Sequence, residues 1–457
     1  MRCSGGWRSI FPSLVLGILF LANGCDLPAQ IEWSPDGATA AYRKGDQLAI
    51  FDAKGHIFSS VSNQKNGGGM AWTPDSKSLY VAADANDEAG FVTMGSTAPL
   101  AQSMLAAPLA INRAWCAGSA CADSACADSA PTTAQSTTHP ATHPATQPAT
   151  GPATQPSQDS VILEYTSNHS WQSLARLPGQ RVIYLRVSAD GRWLLIASFA
   201  ANETKATAAH LIVISLPTKQ GYAISDRAIG ACFLGHDMLA YAEKSADGDA
   251  GRIDEIKLDV SAVTAKRREL LNIVPTRFGW MQSCDGDILF TAKPLATPQP
   301  VEQSAKQCSL FRYTRANRGM MSIAENVGPL FAVSPDGKKV LFEKLSDVDS
   351  ATQTSATQPT SAPALRRELS VMNANGSNPQ ILCTLTDSED APLAMWPAWH
   401  GSDRISFVGP NPKPIQQNGK AMKQYSVVDF ALSDQGGLTD PHSLSDAWDQ
   451  NLLPTAP

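Results

Sequence analysis

Charge is scarce in this chain of 457 residues: Asp, Glu, Lys and Arg make up 17%, against 43% hydrophobic residues. The balance leans acidic, with a formal net charge of -6. No basic stripe is present, which argues against a nucleic-acid partner, because neutralising phosphates needs clustered Lys and Arg. Long apolar runs are missing too. The run from Ile10 to Ala22 is about a dozen residues, too short to span a bilayer comfortably. The sequence also lacks a Gly-x-Ser-x-Gly elbow, a His-Glu-x-x-His pair, a phosphate-cradling Gly-x-x-x-x-Gly-Lys and a dinucleotide fingerprint. The expectation is a chain that is not an enzyme and that uses no metal and no cofactor.

What the N-terminus does contain is an export signal. Arg2 and Arg8 precede the short apolar run, the order of a cleaved signal peptide. Leu21-Ala22-Asn23-Gly24-Cys25 then resembles a bacterial lipobox. The resemblance implies a signal peptide over 1–24, a diacylglycerol on Cys25 and a mature protein anchored in the cell envelope on its periplasmic face. Ala22 stands where the strongest lipoboxes carry Leu. Nine cysteines need sorting. Cys3 lies in the signal and Cys25 at the lipobox, so neither belongs to the fold. Cys116, Cys121 and Cys126 repeat every five residues, unlike the two-residue gaps of zinc knuckles. Cys232, Cys284, Cys308 and Cys383 remain, and an oxidising compartment permits one or two disulfides among them, with pairing left open.

A repeat organises the remainder. Trp33-Ser34-Pro35-Asp36-Gly37, Trp72-Thr73-Pro74-Asp75-Ser76, Val187-Ser188-Ala189-Asp190-Gly191 and Val333-Ser334-Pro335-Asp336-Gly337 each sit between apolar stretches. Weaker copies are Gln282-Ser283-Cys284-Asp285-Gly286, Gly235-His236-Asp237-Met238 and Gly401-Ser402-Asp403-Arg404. In the strong copies Pro presets φ, Asp tolerates the next position and Gly supplies the left-handed residue from which an antiparallel strand leaves. Strand-like segments follow at Ala38–Tyr42, Ser78–Val81, Trp193–Ala197, Met238–Tyr241, Asp287–Thr291, Lys339–Phe342 and Arg404–Val408. Third strands are expected at Gln47–Phe51, Val161–Tyr165, Leu211–Ile214, Glu255–Leu258, Leu310–Tyr313, Leu369–Met372 and Ser426–Phe430. Seven such meanders, each unable to bury both faces alone, predict an all-β, seven-bladed β-propeller of four-stranded antiparallel blades. Six blades result if one degenerate copy is an irregular excursion. The last blade is expected to supply its own outer strand from about His442 to Trp448.

An aromatic residue, Ser-Pro-Asp-Gly, an apolar strand and a strand ending in Asp-x-x-Gly or Asn-x-x-Gly are similar to the WD-repeat-like blades of the TolB propeller, found also in the propellers of prolyl oligopeptidase relatives. The resemblance covers nearly everything from Ile31 onward except the inserts. It implies that Asp36, Gly37, Asp75, Asp190, Gly191, Asp285, Gly286, Asp336 and Gly337 are structural. Read this way, 25–457 is one propeller domain interrupted by low-complexity inserts at 96–158 in blade two and 346–366 in blade six. Pro, Ala and Thr in the larger insert bury too little surface to offset chain entropy, so a disordered or extended loop is expected.

Two further features bear on function. His236 and His400 occupy equivalent turns of blades four and seven, a candidate ligand face, whereas His139 and His143 lie in the larger insert. Trp33, Trp72, Trp280 and Trp399 recur near the ends of innermost strands, where packing between blades is favoured over a carbohydrate platform. The expected function is non-catalytic: a monomeric, lipid-anchored scaffold that binds an envelope protein or a peptidoglycan-associated partner. The alternative is an enzyme acting on polysaccharide, or a ligand-binding propeller, that uses the central funnel.

Overall fold

The computed structural model describes residues 30–44, 47–54, 56–61, 68–85, 159–201, 203, 208–244, 250–259, 268–275, 278–292, 308–347, 365–386, 397–410, 415–417, 420–422, 425–433 and 437–444. The signal with Cys3, the lipobox Cys25, the cysteine repeat, His139 and His143, and nearly all of both inserts lie outside them. The chain divides into a unit of residues 1–100 and 158–457 and a second of 101–157; everything below concerns the first.

This unit is all-β and its sheets are antiparallel. The first sheet is β1 (Gln30–Trp33), β2 (Thr39–Lys44), β3 (Gln47–Asp52) and β4 (Ile57–Val61), and the second is β5 (Met70–Trp72), β6 (Ser78–Asp84), β7 (Ser160–Thr166) and β8 (Trp171–Leu177), each in sequential order. A seven-stranded sheet follows: β9 (Gln180–Val187), β10 (Trp193–Ala200), β11 (Ala209–Ser215), β12 (Gln220–Phe233), β13 (Met238–Lys244), β14 (Ala250–Lys257) and β15 (Arg268–Pro275). A second seven-stranded sheet contains β16 (Phe278–Cys284), β17 (Asp287–Ala292), β18 (Cys308–Thr314), β19 (Gly319–Val333), β20 (Lys339–Asp347), β21 (Leu365–Asn373) and β22 (Gln380–Thr386). The last comprises β23 (Ala398–His400), β24 (Arg404–Pro410), β27 (Tyr425–Leu432) and β28 (Leu438–Ser443), with a separate hairpin of β25 (Ile415–Gln417) and β26 (Lys420–Met422).

The seven-stranded sheets have a simple origin. The first half of β12 pairs with β11 through Gln220–Ser225, and its second half pairs with β13 through Gly230–Phe233. β19 does the same, with Gly319–Ala324 against β18 and Phe331–Val333 against β20. One long strand thus ends one four-stranded meander and begins the next without a break. In β19 the junction carries turn-forming residues, Asn326, Gly328 and Pro329, with Asn326 left-handed at φ +55, and the strand passes through them as an irregularity in register rather than stopping.

Strand identity follows from patterning. All but the last residue of β10 is buried, and β3 buries four consecutive residues, so these central strands are covered on both faces. β8 alternates more, as a half-exposed outer strand does. The expected second and third strands are all present. β14 begins earlier than expected, at Ala250, and β28 precedes the expected His442–Trp448. The reason lies in the Ser433 amide, which donates to the Gly437 carbonyl (2.9 Å), closing a tight turn so that pairing starts at Leu438. Pro441 is tolerated in β28 because this is an edge strand.

The core is distributed between sheets. Ala41, Leu48, Ile50 and Val61 of the first sheet cluster with Met70, Trp72, Leu79 and Val81 of the second. Ala71 and Tyr80 of the second cluster with Leu185, Leu194 and Ile196 of the third. Trp193 and Phe199 meet Leu239 and Tyr241 across the two halves of that sheet. Ala240 and Ile253 meet Ile288 and Phe290 of the fourth. Leu289 and Leu310 meet Val340 and Phe342. Leu341 and Leu369 meet Trp399 and Ile405 of the last sheet. Finally, Ile31, Trp33 and Tyr42 of the first sheet cluster with Ala398 and Leu444. Each fully buried large side chain contributes about 1.5–3 kcal/mol of transfer free energy.

Candidate functional site

The turn motif proves to be a self-contained device. In Ser34-Pro35-Asp36-Gly37 the Gly37 amide donates to the Ser34 carbonyl at 2.8 Å, and Gly37 sits at φ +70. The Asp36 carboxylate accepts from the Ser34 hydroxyl at 2.6 Å and from the Ala38 amide at 3.0 Å. The same bonds recur at Ser188/Asp190/Arg192 and Ser334/Asp336/Lys338, and Thr73/Asp75/Lys77 repeats them with threonine. Burial acts to raise the Asp36 carboxyl, but its bonds to Ser34, Ala38 and Ser76 outweigh this and hold it low. One carboxylate oxygen of each of these aspartates, Oδ1, is committed to the turn. Asp285-Gly286 differs in type: φ is +51 and +80 at the two residues, a two-residue hairpin of the type I′ family.

The two histidines have different surroundings. His236 is exposed on the turn before β13, next to Asp237, which pairs with Lys257 at 3.5 Å. His400 is part of a network that joins β23 to β1. Its ring lies parallel to Trp33, centroids 3.6 Å apart and planes within 2°. Nε2 meets the Gly37 carbonyl at 2.9 Å and Nδ1 meets Asp429 at 3.0 Å. The Trp33 indole N–H donates to the Ser406 hydroxyl (2.9 Å), which donates to Asp429 (2.6 Å). Arg404 also donates to Asp429, at 2.6 Å. Burial pushes the Asp429 carboxyl up, yet the bonds from His400, Ser406 and Arg404 win and hold it below the usual carboxylate range.

Ser406, His400 and Asp429 have the residue types of a catalytic triad but another geometry. A nucleophilic serine gives its proton to the histidine. Here Ser406 donates to the aspartate instead, is 0% exposed, and the histidine nitrogen that would serve it faces the Gly37 carbonyl. The arrangement fastens two strands.

Tryptophans repeat this fastening role. Trp72 donates to the Glu32 carbonyl (2.9 Å) and Trp399 to the Ala332 carbonyl (3.0 Å), each reaching the innermost strand of the preceding meander. Trp280 departs from the pattern. It lies four residues before Cys284 rather than beside the turn, is half-buried, and packs edge-on against Tyr184 with centroids 4.9 Å apart.

That contact opens onto a polar cluster that motif searching missed. Glu32 of β1, Tyr184 and Arg186 of β9, and Cys232 of β12 lie near one another, and Trp280 of β16 packs against Tyr184. Arg186 Nη1 reaches Glu32 at 3.4 Å. Ala71 of β5 holds the position equivalent to Glu32 and Arg186, two residues before its turn. The Arg186 and Glu32 side chains retain 36% and 23% of their surface. Burial raises the Glu32 carboxyl, with Arg186 partly offsetting it. Burial also pushes the Tyr184 hydroxyl and the Cys232 thiol up to about 12. The available signal was a charged residue two positions before the turn on the innermost strand.

Cys232, Cys284, Cys308 and Cys383 are free thiols, so none of the permitted disulfides forms among them. Among the described residues no group of three or more His, Cys, Asp or Glu could hold a metal ion, and no helix is long and apolar enough to cross a membrane.

No family model and no curated protein matches the chain. Among solved structures, TolB from Acinetobacter baumannii is similar at 12% identity and a TM-score of 0.36, with 62% of each chain covered. A putative TolB from Agrobacterium tumefaciens aligns at 11% identity and a TM-score of 0.37, over 72% of this chain and 84% of that one. A structure from a study of two prolyl endopeptidases reaches 12% and 0.44, over 84% of this chain and 47% of the other. The chain therefore spans less than two thirds of the first of these structures, and what its own coordinates establish is the antiparallel, all-β class.

Proposed function

We propose that the described unit is a seven-bladed β-propeller closed by contact between its first and last sheets, and that it serves as a non-catalytic binding scaffold of the bacterial envelope. The observation that carries this reading is the succession of shared cores. Each four-stranded meander packs on the next, and Ile31 and Trp33 pack with Ala398 and Leu444 to join the last to the first. The Trp33–His400–Asp429–Ser406 network supports the same closure. A repeat whose loose ends meet leaves only short outer edges exposed, which keeps such a sheet array soluble.

The binding role is supported by how the motif residues are used. The aspartates of the Ser-Pro-Asp-Gly turns and His400 are committed to internal bonds. The tight turns of neighbouring meanders touch one another: the Asp36 amide donates to the Ser76 hydroxyl (3.1 Å), and the Cys284 thiol donates to the Gly337 carbonyl (2.9 Å). The chain leaves for its inserts at the opposite end, after Ala85 and Asp347. Attachment through a diacylglyceryl Cys25 would tether the scaffold to the membrane without a spanning helix. An envelope protein or peptidoglycan-associated partner fits that placement. Crosslinking in intact cells followed by purification from membranes tests it. The expected result is a discrete envelope partner recovered with the wild type, and release of the protein from the membrane fraction by Cys25→Ala. Recovery of background proteins alone would contradict the scaffold role.

A further inference from the structure

The space bounded by β1, β9, β12 and β16 holds more hydrogen-bond donors than acceptors. Arg186 brings five N–H donors in a planar fork and Tyr184 an O–H. The Arg186–Glu32 contact, at 3.4 Å, is longer than the roughly 2.7–2.9 Å of a good charge-assisted bond. The Tyr184 hydroxyl is enclosed and has no hydrogen-bond partner. Leaving the Tyr184 hydroxyl unmatched costs free energy, while Arg186, whose side chain keeps 36% of its surface, presents its guanidinium to whatever enters from solvent. Cys232 lies close enough to feel the Arg186 charge and adds another weak donor.

We propose that this internal space binds a small carboxylate, with Arg186 gripping both oxygens, Tyr184 donating from the side and Trp280 forming the wall. A carboxylate suits the site better than a phosphate. Its planar pair of oxygens matches the guanidinium fork, and its single charge is easier to place beside Glu32 than a double one. Burial, which favours the neutral Glu32 carboxyl, reduces the remaining repulsion. The proposal rests on the ring reading, because closure is what encloses the four strands around this space.

Calorimetric titration of the whole protein with sodium acetate, against sodium chloride at equal ionic strength, tests the site. Saturable heat is expected from acetate only. Arg186→Gln should weaken binding more than tenfold, and Tyr184→Phe about fivefold, the equivalent of one neutral hydrogen bond. Arg186→Lys keeps the charge without the fork and should also weaken binding, with circular dichroism confirming that each variant is folded. Acetate heat indistinguishable from chloride, or unchanged in folded Arg186→Gln, would overturn the proposal. Measurable coupling between Trp33 and Ser406 in the same protein would then show that the ring survives and that only the site is wrong.

Discussion

A single glycine shows how much the turn motif asks of one residue. Gly37 is left-handed, and a Cβ there would stand 3.2 Å from Cδ2 of His400. Gly286 is also left-handed, at φ +80, but a Cβ there would meet nothing within 4 Å. Both alanine variants incur a backbone cost of about 1–2 kcal/mol, and only Gly37→Ala also presses on the Trp33–His400 stack. Urea denaturation should therefore place Gly37→Ala below Gly286→Ala in stability. Equal losses would mean that the stack yields freely. The aspartate beside each glycine was legible as a turn former. Its second task, receiving the serine hydroxyl and the following amide, is a matter of side-chain geometry that residue type only permits. The fate of His400 was hidden for another reason: its partners Trp33 and Gly37 lie some 360 positions away, beyond any local pattern.

At the scale of strands the sequence was most informative. Apolar runs following an aspartate-bearing turn located the second and third strands of every meander, because a hairpin's register is set by neighbours a few residues apart. The long β12 and β19 were not legible, since residues such as Asn326, Gly328 and Pro329 read as a break whereas the strand continues through them with a shift in register. β28 began at Leu438 because the Ser433–Gly437 bond fixes its start. The large insert sits between two strands that complete their own pairing, from Ser78 opposite Thr166 to Asp84 opposite Ser160, capped by the Ala85 amide on the Asp159 carbonyl at 2.9 Å. Replacing 86–158 with a short glycine-containing turn should leave the fold intact. The urea midpoint should hold or rise, because each halving of a flexible loop recovers about 0.6 kcal/mol of closure entropy. A midpoint that falls steeply would show that the insert contributes to the core.

For the whole molecule, apolar clusters between successive sheets matter less individually than the last of them, which joins residues near the beginning of the described chain to residues near its end. A ring unfolds as a unit only if that junction holds; otherwise the terminal sheets fray as they do at the ends of an open array. The polar cluster around Arg186 depends on it too, since Glu32 comes from the first sheet and Arg186 from the third. The most direct test is a double-mutant cycle between Trp33→Phe, which loses the indole N–H, and Ser406→Ala, which loses its acceptor. These residues are 373 positions apart and joined by a 2.9 Å hydrogen bond. Closure predicts a coupling of about 0.5–1.5 kcal/mol in urea denaturation. Losses that add to within about 0.3 kcal/mol would mean that the two ends do not meet.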